Sequence, residues 1–223
     1  MNRTTCGACG STDLDLILDL GMSPLADEFP ATAAEAVALP RYPLQLLVCG
    51  SCWLVQLGYV VPDAELWSAS YGFYTGASPS SVRYFEGYAD WLAGRGHLPG
   101  PGELAVEIAS NDGTMQQHLG RHGGQVLGVE PAKGPAAAAE ARGLDVVAEP
   151  FGLAVAEQIR SACGPAKLVV ANNVLAHVAE LSDFLAGVRH LLAPGGAFVV
   201  EVQYLGDLLL GNQFDHVYHE HRS

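Results

Sequence analysis

Apolar and polar positions change rhythm twice along this chain. Between residues 14 and 57 the apolar residues fall in short strand-length runs, "LDLILDLGMSPLADEFP" and "YPLQLLVCGSCWLVQL", parted by a polar, alanine-rich stretch. That pattern predicts a small β-rich segment. From about Ser80 to Gly94, "SSVRYFEGYADWLAG" reads as a helix, and "RGHLPGPG" then breaks the pattern. Beyond it, apolar runs of strand length ("ELAVEIA", "QVLGVE", "LDVVA", "KLVVANN", "AFVVEVQ") alternate with helix-like stretches ("TMQQHLGRHG", "AKGPAAAAEARG", "LAVAEQIRSACG", "HVAELSDFLAGVRHLLAPGG"). Strand and helix in alternation predict an α/β fold, a doubly wound and mostly parallel sheet. The expected organisation is a β-rich domain over 1–62, a linker with a helical segment over 63–102, and an α/β core over 103–223.

Four of the five cysteines form two pairs, Cys6-Gly-Ala-Cys9 and Cys49-Gly-Ser-Cys52. A Cys-x-x-Cys turn aims two thiolates at one tetrahedral cation, and Gly7 and Gly50 permit the tight backbone required. Two such knuckles complete a four-sulfur shell, which suits a structural zinc ion and leaves no open coordination position. The first domain is too short to build a core alone, so a metal staple has a physical purpose there. The competing readings are incidental buried cysteines and a redox dithiol, although neither pair opens a helix in a thioredoxin-like setting. Cys163 stands alone and reads as a structural or surface thiol.

Composition narrows the partners. Apolar residues make up 49% and charged residues 16%, enough for a substantial core. With 11 Lys and Arg the formal net charge is -13, a surface that repels phosphate backbones, so no nucleic-acid partner is expected. The N-terminal "MNRTTCGACG" has no apolar stretch resembling a signal peptide, and no run reaches the roughly 18 apolar residues of a membrane span. A cytoplasmic chain without a membrane partner is the expectation.

In doubly wound sheets the ligand lies beyond the carboxyl ends of the strands. Those ends here carry Glu107, Ala109, Asn111 and Gly113 in "EIASNDG", Glu130 and Pro131 in "GVEP", and Asn172 and Asn173 in "NNVLAH". These are the candidate cofactor-binding residues. Gly113 is expected to let backbone approach the ligand, and Glu130 suits paired ribose hydroxyls. A dinucleotide site wants three glycines in the first turn, where "SNDGTM" offers one. S-adenosylmethionine, which has no phosphate, tolerates that, and "LLAPGG" before the fifth strand is a further methyltransferase-like feature. The plainer alternatives are Glu107 and Asp112 as helix caps, Asn172 and Asn173 as turn formers, and His177 as a helix start.

The chain closes on "QFDHVYHEHRS", which reads either as a solvated or metal-binding tail or as part of an active site. With "CGAC", "LGMSPLADEF", "YPLQLLVCGSCWLVQL", "YGFYTGASPSS", "EIASNDGTM", "GVEP", "NNVLAH" and "FDHVYHEH" in this order, the whole chain resembles a sugar C-methyltransferase. That family methylates carbon in nucleotide-linked keto-deoxysugars. The resemblance implies a zinc-binding N-terminal domain, a Rossmann-like class I methyltransferase core that uses S-adenosylmethionine, and a Rossmann-like domain beyond Ser223. It puts Cys6, Cys9, Cys49 and Cys52 on zinc and Glu107, Gly113 and Glu130 at the cofactor. Tyr218, His219, Glu220 and His221 would form the catalytic motif, with His177 and one of Tyr71 or Tyr74 facing the site.

Carbon methylation needs a base to form an enolate and a donor for its oxygen. His221 is the first candidate for the base, with Tyr218 or Glu220 next. The core is expected to be incomplete at its C-terminus, making the chain a fragment, a truncated product or one part of a split enzyme that associates with a missing C-terminal half. The rival readings are a non-catalytic zinc-containing module that binds a sugar nucleotide or partner, a methyltransferase for another small molecule, and a nicotinamide oxidoreductase.

Overall fold

A computed structural model describes residues 1–26, 28–66 and 72–223. Its contacts divide the chain into two units. One comprises Met1–Leu66, Leu175–Ser182 and Val202–Ser223; the other comprises Trp67–Val174 and Asp183–Glu201.

The first unit is built on an antiparallel sheet of β1 (Leu14–Ser23), β2 (Tyr42–Cys49) and β3 (Val55–Leu57) in sequence order, with α1 (Ala33–Ala38) between β1 and β2. Thr32 starts α1 by accepting the Glu35 N–H at 3.2 Å, the usual way a threonine satisfies a free helix donor. Val48 pairs with both Asp15 and Val55, so the end of β2, where the second cysteine pair begins, is held from both sides. The buried apolar set among the described residues is small: Leu44, Leu57, Val61, Leu66 and Ala176 join Cys6 and Cys49, whereas Leu16, Ile17, Leu20 and Met22 of β1 are exposed. So little buried surface cannot offset the ordering entropy of a segment this long, and a metal would supply the difference.

The short helix α2 (Asp63–Leu66) follows β3. The C-terminal residues are stitched onto this region. Leu57 N–H donates to the Arg222 carbonyl at 2.9 Å, and Arg222 N–H donates to the Ala176 carbonyl at 2.6 Å. The Arg222 guanidinium, 1% exposed, donates to the Val61 carbonyl at 2.9 Å and pairs with Asp63. A cation this deeply buried is tolerated only with such partners.

The second unit opens with α3 (Pro79–Ala93), started by the Ser78 hydroxyl and by Pro79, whose missing N–H costs nothing in a first turn. Then β4 (Leu104–Ile108), α4 (Thr114–Leu119), β5 (Gln125–Val129), α5 (Lys133–Ala141), β6 (Val146–Val147), α6 (Leu153–Cys163), β7 (Ala166–Asn172), α7 (Leu181–Leu191) and β8 (Leu192–Glu201) alternate. The five strands are parallel, in the order β6-β5-β4-β7-β8. Every residue of β4 is buried, as expected for the centre of a parallel sheet. Leu92, Leu98, Ala105, Met115, Leu119, Leu168 and Val170 form one apolar cluster between sheet and helices. Chain order reverses beside β4, the switch point where doubly wound sheets open a ligand crevice. The chain goes on to α8 (Leu205–Leu210) in the first unit.

Two elements differ from the sequence expectation. The stretch 144–148 pairs only over Val146–Val147. The expected helix over 177–196 is shorter, Leu181–Leu191, because "LAPGG" already belongs to β8. Pairing with β7 jumps from Leu192 to Ala197, and Gly195, at a φ of 77°, lets the extra residues bulge from the ladder. His177 lies in a separate 3-10 turn, Leu175–His177.

Candidate functional site

The four paired cysteines converge. Cys6 and Cys52 sulfurs lie 3.5 Å apart, those of Cys9 and Cys49 3.6 Å apart, and all four lie within 4.8 Å of one another. These spacings are far too long for a disulfide and match the edges of a tetrahedral four-thiolate zinc shell. The turns close through Gly10 N–H to the Cys6 carbonyl (3.0 Å) and Trp53 N–H to the Cys49 carbonyl (2.9 Å). Left-handed backbone falls on Gly10 and Trp53, not on Gly7 or Gly50. A Cβ at Gly50 would sit 2.2 Å from a carboxylate oxygen of the exposed Asp13, whose side chain would have to turn aside.

Charge in the thiol set is unequal. At Cys6 burial opposes ionisation, but the Cys9 and Ala8 backbone and the Gln56 and Cys52 side chains outweigh it and bring the pKa to about 6. Cys52, favoured by the Leu54 backbone but crowded by Cys6, Cys9 and Cys49 and by burial, is pushed up to about 12. Four thiolates this close need a cation to share them, and zinc fits the donor set.

The second constellation lies at the carboxyl ends of β4, β5 and β7. Glu107 is 6% exposed, and its Oε2 has no hydrogen-bond partner among the described residues. Burial, with the charges of Glu130 and Asp112 behind it, holds this carboxyl well above the usual range. Glu130 is also raised by burial, although its two oxygens accept the Ala132 N–H at 2.7 Å and the Asn111 N–H at 2.9 Å. Asn172 donates to the Met115 sulfur at 3.0 Å and keeps a buried Oδ1 without a partner among the described residues. Buried acceptors left open on adjacent strands call for a ligand with ammonium and hydroxyl donors, and S-adenosylmethionine carries both.

Ala109, Asn111, Gly113 and Asn173 all have left-handed backbone, with φ of 53°, 51°, 76° and 54°. Such strain in non-glycine residues, roughly 1–3 kcal/mol each, gathers at functional sites. Side chains in the same loop do other work. Asn111 accepts the Thr75 N–H at 2.8 Å and donates to the Phe73 carbonyl at 3.0 Å. Asp112, 1% exposed, accepts the Gly76 N–H at 3.0 Å, the Thr114 hydroxyl at 2.7 Å and the Arg142 guanidinium at 3.2 Å. This loop therefore clamps residues 73–76, and Tyr74 places its hydroxyl against Gly134. Tyr71 lies outside the described residues.

Gly113 is glycine for its backbone and for packing, since a Cβ there would meet the Leu144 side chain at 2.2 Å. Pro131 is exposed, and Asn173 is tied to β8 through Glu201, its N–H reaching the carbonyl at 2.7 Å and its Nδ2 a carboxylate oxygen at 3.1 Å.

The third constellation belongs to the first unit. His221 Nδ1 lies 2.8 Å from the His216 carbonyl, and its Nε2 lies 2.8 Å from Tyr218 Oη and 3.1 Å from Gln203 Nε2. His177 Nδ1 lies 2.9 Å from the Glu220 carbonyl. A carbonyl only accepts, so both imidazoles donate from Nδ1 and keep Nε2 as the basic nitrogen. The two rings are 5.1 Å apart, and Tyr218 is 4.0 Å from His221, centroid to centroid.

Burial lowers the His221 pKa, with the His216 backbone opposing and the His216 charge assisting, which favours the neutral base. It is the backbone of Glu220 that orients His177. His219 differs from its neighbours: 1% exposed, it packs edge-on to Tyr42 at 5.9 Å, and burial lowers its pKa too. Both of its ring nitrogens are buried. Sequence reasoning missed Gln203, Arg222 and the His216 carbonyl, because nothing local marks a glutamine after a strand or a backbone oxygen as an imidazole partner.

Known proteins resemble the chain in two blocks. Residues 6–67 match a family described as "Putative zinc binding domain", and residues 106–198 match one described as "Methyltransferase domain". The chain is 34% identical over 218 residues to the C-methyltransferase NovU of Streptomyces niveus, covering 98% of this chain and 51% of that one. It is 32% identical over 112 residues to a ubiquinone biosynthesis O-methyltransferase of Caulobacter sp. (strain K31), covering 48% and 43%. It thus spans about half the length of the curated relatives it matches. Among solved structures, DesVI of Streptomyces venezuelae aligns with a TM-score of 0.45 and 21% identity over 66% of this chain and 59% of its own.

Proposed function

We propose that the chain, a member of the sugar C-methyltransferase family by its likeness to NovU and its two matched domains, is an S-adenosylmethionine-dependent enzyme, or the N-terminal portion of one, methylating a carbon of a nucleotide-linked keto-deoxysugar. On this reading residues 1–62 are the zinc-binding domain, 63–102 the linker with its helical segment, and 103–223 the methyltransferase core. The zinc is structural. Glu107, Glu130 and Asn172 hold the cofactor through their side chains, and the left-handed loop at Ala109, Asn111 and Gly113 shapes its berth, flanked by Pro131 and Asn173. Bound there, S-adenosylmethionine supplies an electrophilic methyl group.

A sugar C–H has no lone pair to offer that methyl. A neighbouring ketone acidifies it, and a base of near-neutral pKa removes the proton. The observation that carries the reading is the His221 imidazole, protonated at Nδ1 with its basic Nε2 beside the Tyr218 hydroxyl. His221 is then the base, and Tyr218 or His177 the donor that stabilises the enolate oxygen. The net charge of -13 and the absence, among the described residues, of a helix able to cross a membrane suit a cytoplasmic enzyme of small molecules.

The test follows hydrogen rather than product. With a keto-sugar nucleotide in D2O, the zinc-loaded chain should exchange the hydrogen next to the ketone, and His221→Ala should slow that exchange about 100-fold or more. Label from S-adenosylmethionine recovered on oxygen instead of carbon would overturn the reading. No calorimetric binding of S-adenosylmethionine to the folded, zinc-loaded chain would favour a non-catalytic binding module.

A further inference from the structure

Gln203 follows β8 and takes part in none of the features that mark the chemistry in the sequence. Its carboxamide nitrogen nevertheless lies 3.1 Å from His221 Nε2, the nitrogen that also receives Tyr218. The opposite end of the imidazole is spoken for, because Nδ1 must donate to the His216 carbonyl. A neutral imidazole with its proton on Nδ1 has a lone pair on Nε2, and a carboxamide N–H is the half of glutamine that satisfies a lone pair. The other half, Oε1, is buried with no partner among the described residues.

We propose that Gln203 is a positioning residue: it holds His221 as the neutral Nδ1–H tautomer, and by turning its carboxamide over it accepts the proton-bearing Nε2 once His221 has become imidazolium. One side chain then serves both protonation states without moving the ring. The neutral state is met by N–H donation, the charged state by the unpartnered Oε1. No lysine, aspartate or lone hydroxyl offers a donor and an acceptor on the same rigid plane.

Other groups face this imidazole as well. Tyr218 shares Nε2, the His177 ring lies 5.1 Å away, and His216 contributes both its carbonyl and its side-chain charge. Any of them affects the His221 titration. Gln203 exchanges a donor for an acceptor by rotating its carboxamide about a single bond, and the Tyr218 hydroxyl beside it can do so by turning its hydrogen, so the Gln203 variants are the ones that isolate the carboxamide. The inference rests on the assignment of His221 as the base, but the tautomer and its titration can be read without turnover.

Nitrogen NMR of His221 in the zinc-loaded chain tests it. In the parent chain, Nδ1 should carry the proton above the titration midpoint. Gln203→Met keeps the bulk and removes both donor and acceptor; because the hydrogen bond lost by the imidazolium is the charge-assisted one, its midpoint should fall by a few tenths of a unit and its Nδ1–H preference should weaken. Gln203→Glu can only accept, and its midpoint should rise by about one unit or more. Where methyl transfer is measurable, the rising limb of its pH profile should follow the midpoint, downward in Gln203→Met and upward in Gln203→Glu.

A Met variant with the parent's tautomer and midpoint overturns the proposal, whatever the Glu variant does. The spectrum of the four-cysteine metal centre in each variant separates misfolding from a local effect. If the NMR shifts appear while no carbon is ever methylated, Gln203 retains its role and it is the functional reading that falls.

Discussion

Glu107 shows how one residue can be costly to the fold and useful to its ligand. Its carboxyl is buried beside Glu130 and Asp112, with one oxygen unpartnered among the described residues and its pKa raised. A folded-state pKa above the unfolded value means that the folded chain holds the proton longer. The stabilisation is full below about pH 4.3, the ordinary glutamate value, and fades as pH rises through the folded pKa. Glu107→Gln should therefore raise the melting temperature of the cofactor-free chain at pH 7 to 8, and by less at pH 5. If Glu107 holds the cofactor as proposed, the same variant should weaken S-adenosylmethionine binding about 10-fold or more in calorimetry, since it removes the carboxylate that would answer the ammonium. Gly113→Ala should cost about 2 kcal/mol or more in denaturant unfolding, because a left-handed φ and the Leu144 side chain both oppose a Cβ.

Among the elements, the C-terminal segment depends on one cation. Arg222 joins the backbone of β3 and the 3-10 turn of His177, while its guanidinium reaches Val61 and Asp63. Arg222→Met should destabilise the first unit by about 2–4 kcal/mol through the buried acceptors it leaves unpaired. Chemical denaturation gives the energy, and the His221 NMR signals should broaden or shift together with it. The loop after β4 works by the same principle within the second unit, where Asp112 ties α4, Arg142 and Gly76 together. These ties are hydrogen bonds between residues far apart in sequence, which explains why periodicity gave no hint of them. The helix limits moved for a similar reason: β7 recruits Leu192 into its ladder, and competition between sheet and helix ends α7 earlier than its apolar spacing suggests.

At the scale of the whole molecule, metal should matter to one unit more than to the other. The first has a thin apolar core with four cysteines in it; the second has a continuous cluster under a five-stranded sheet. A zinc chelator should therefore make residues 1–66 and the 202–223 segment sensitive to limited proteolysis, while fragments spanning β4 to β8 persist. Their simultaneous loss would show that the second unit also depends on the metal.

Much of this was readable along the chain. Two Cys-x-x-Cys turns announce a four-sulfur centre because ligand spacing within a turn is local, and alternation of strand and helix announces a parallel sheet because side-chain periodicity is local too. Glu107 and Glu130 were found by counting to strand ends. The roles within the last eleven residues were not. One histidine of the motif, His219, is packed against Tyr42, while His221 is held between Gln203, Tyr218 and the His216 carbonyl. A motif of consecutive polar residues specifies the available chemistry. Which ring is buried, which nitrogen keeps its lone pair and which carboxylate is left unpaired depend on partners far along the chain, Tyr42 for His219 among them, and only folding brings those together.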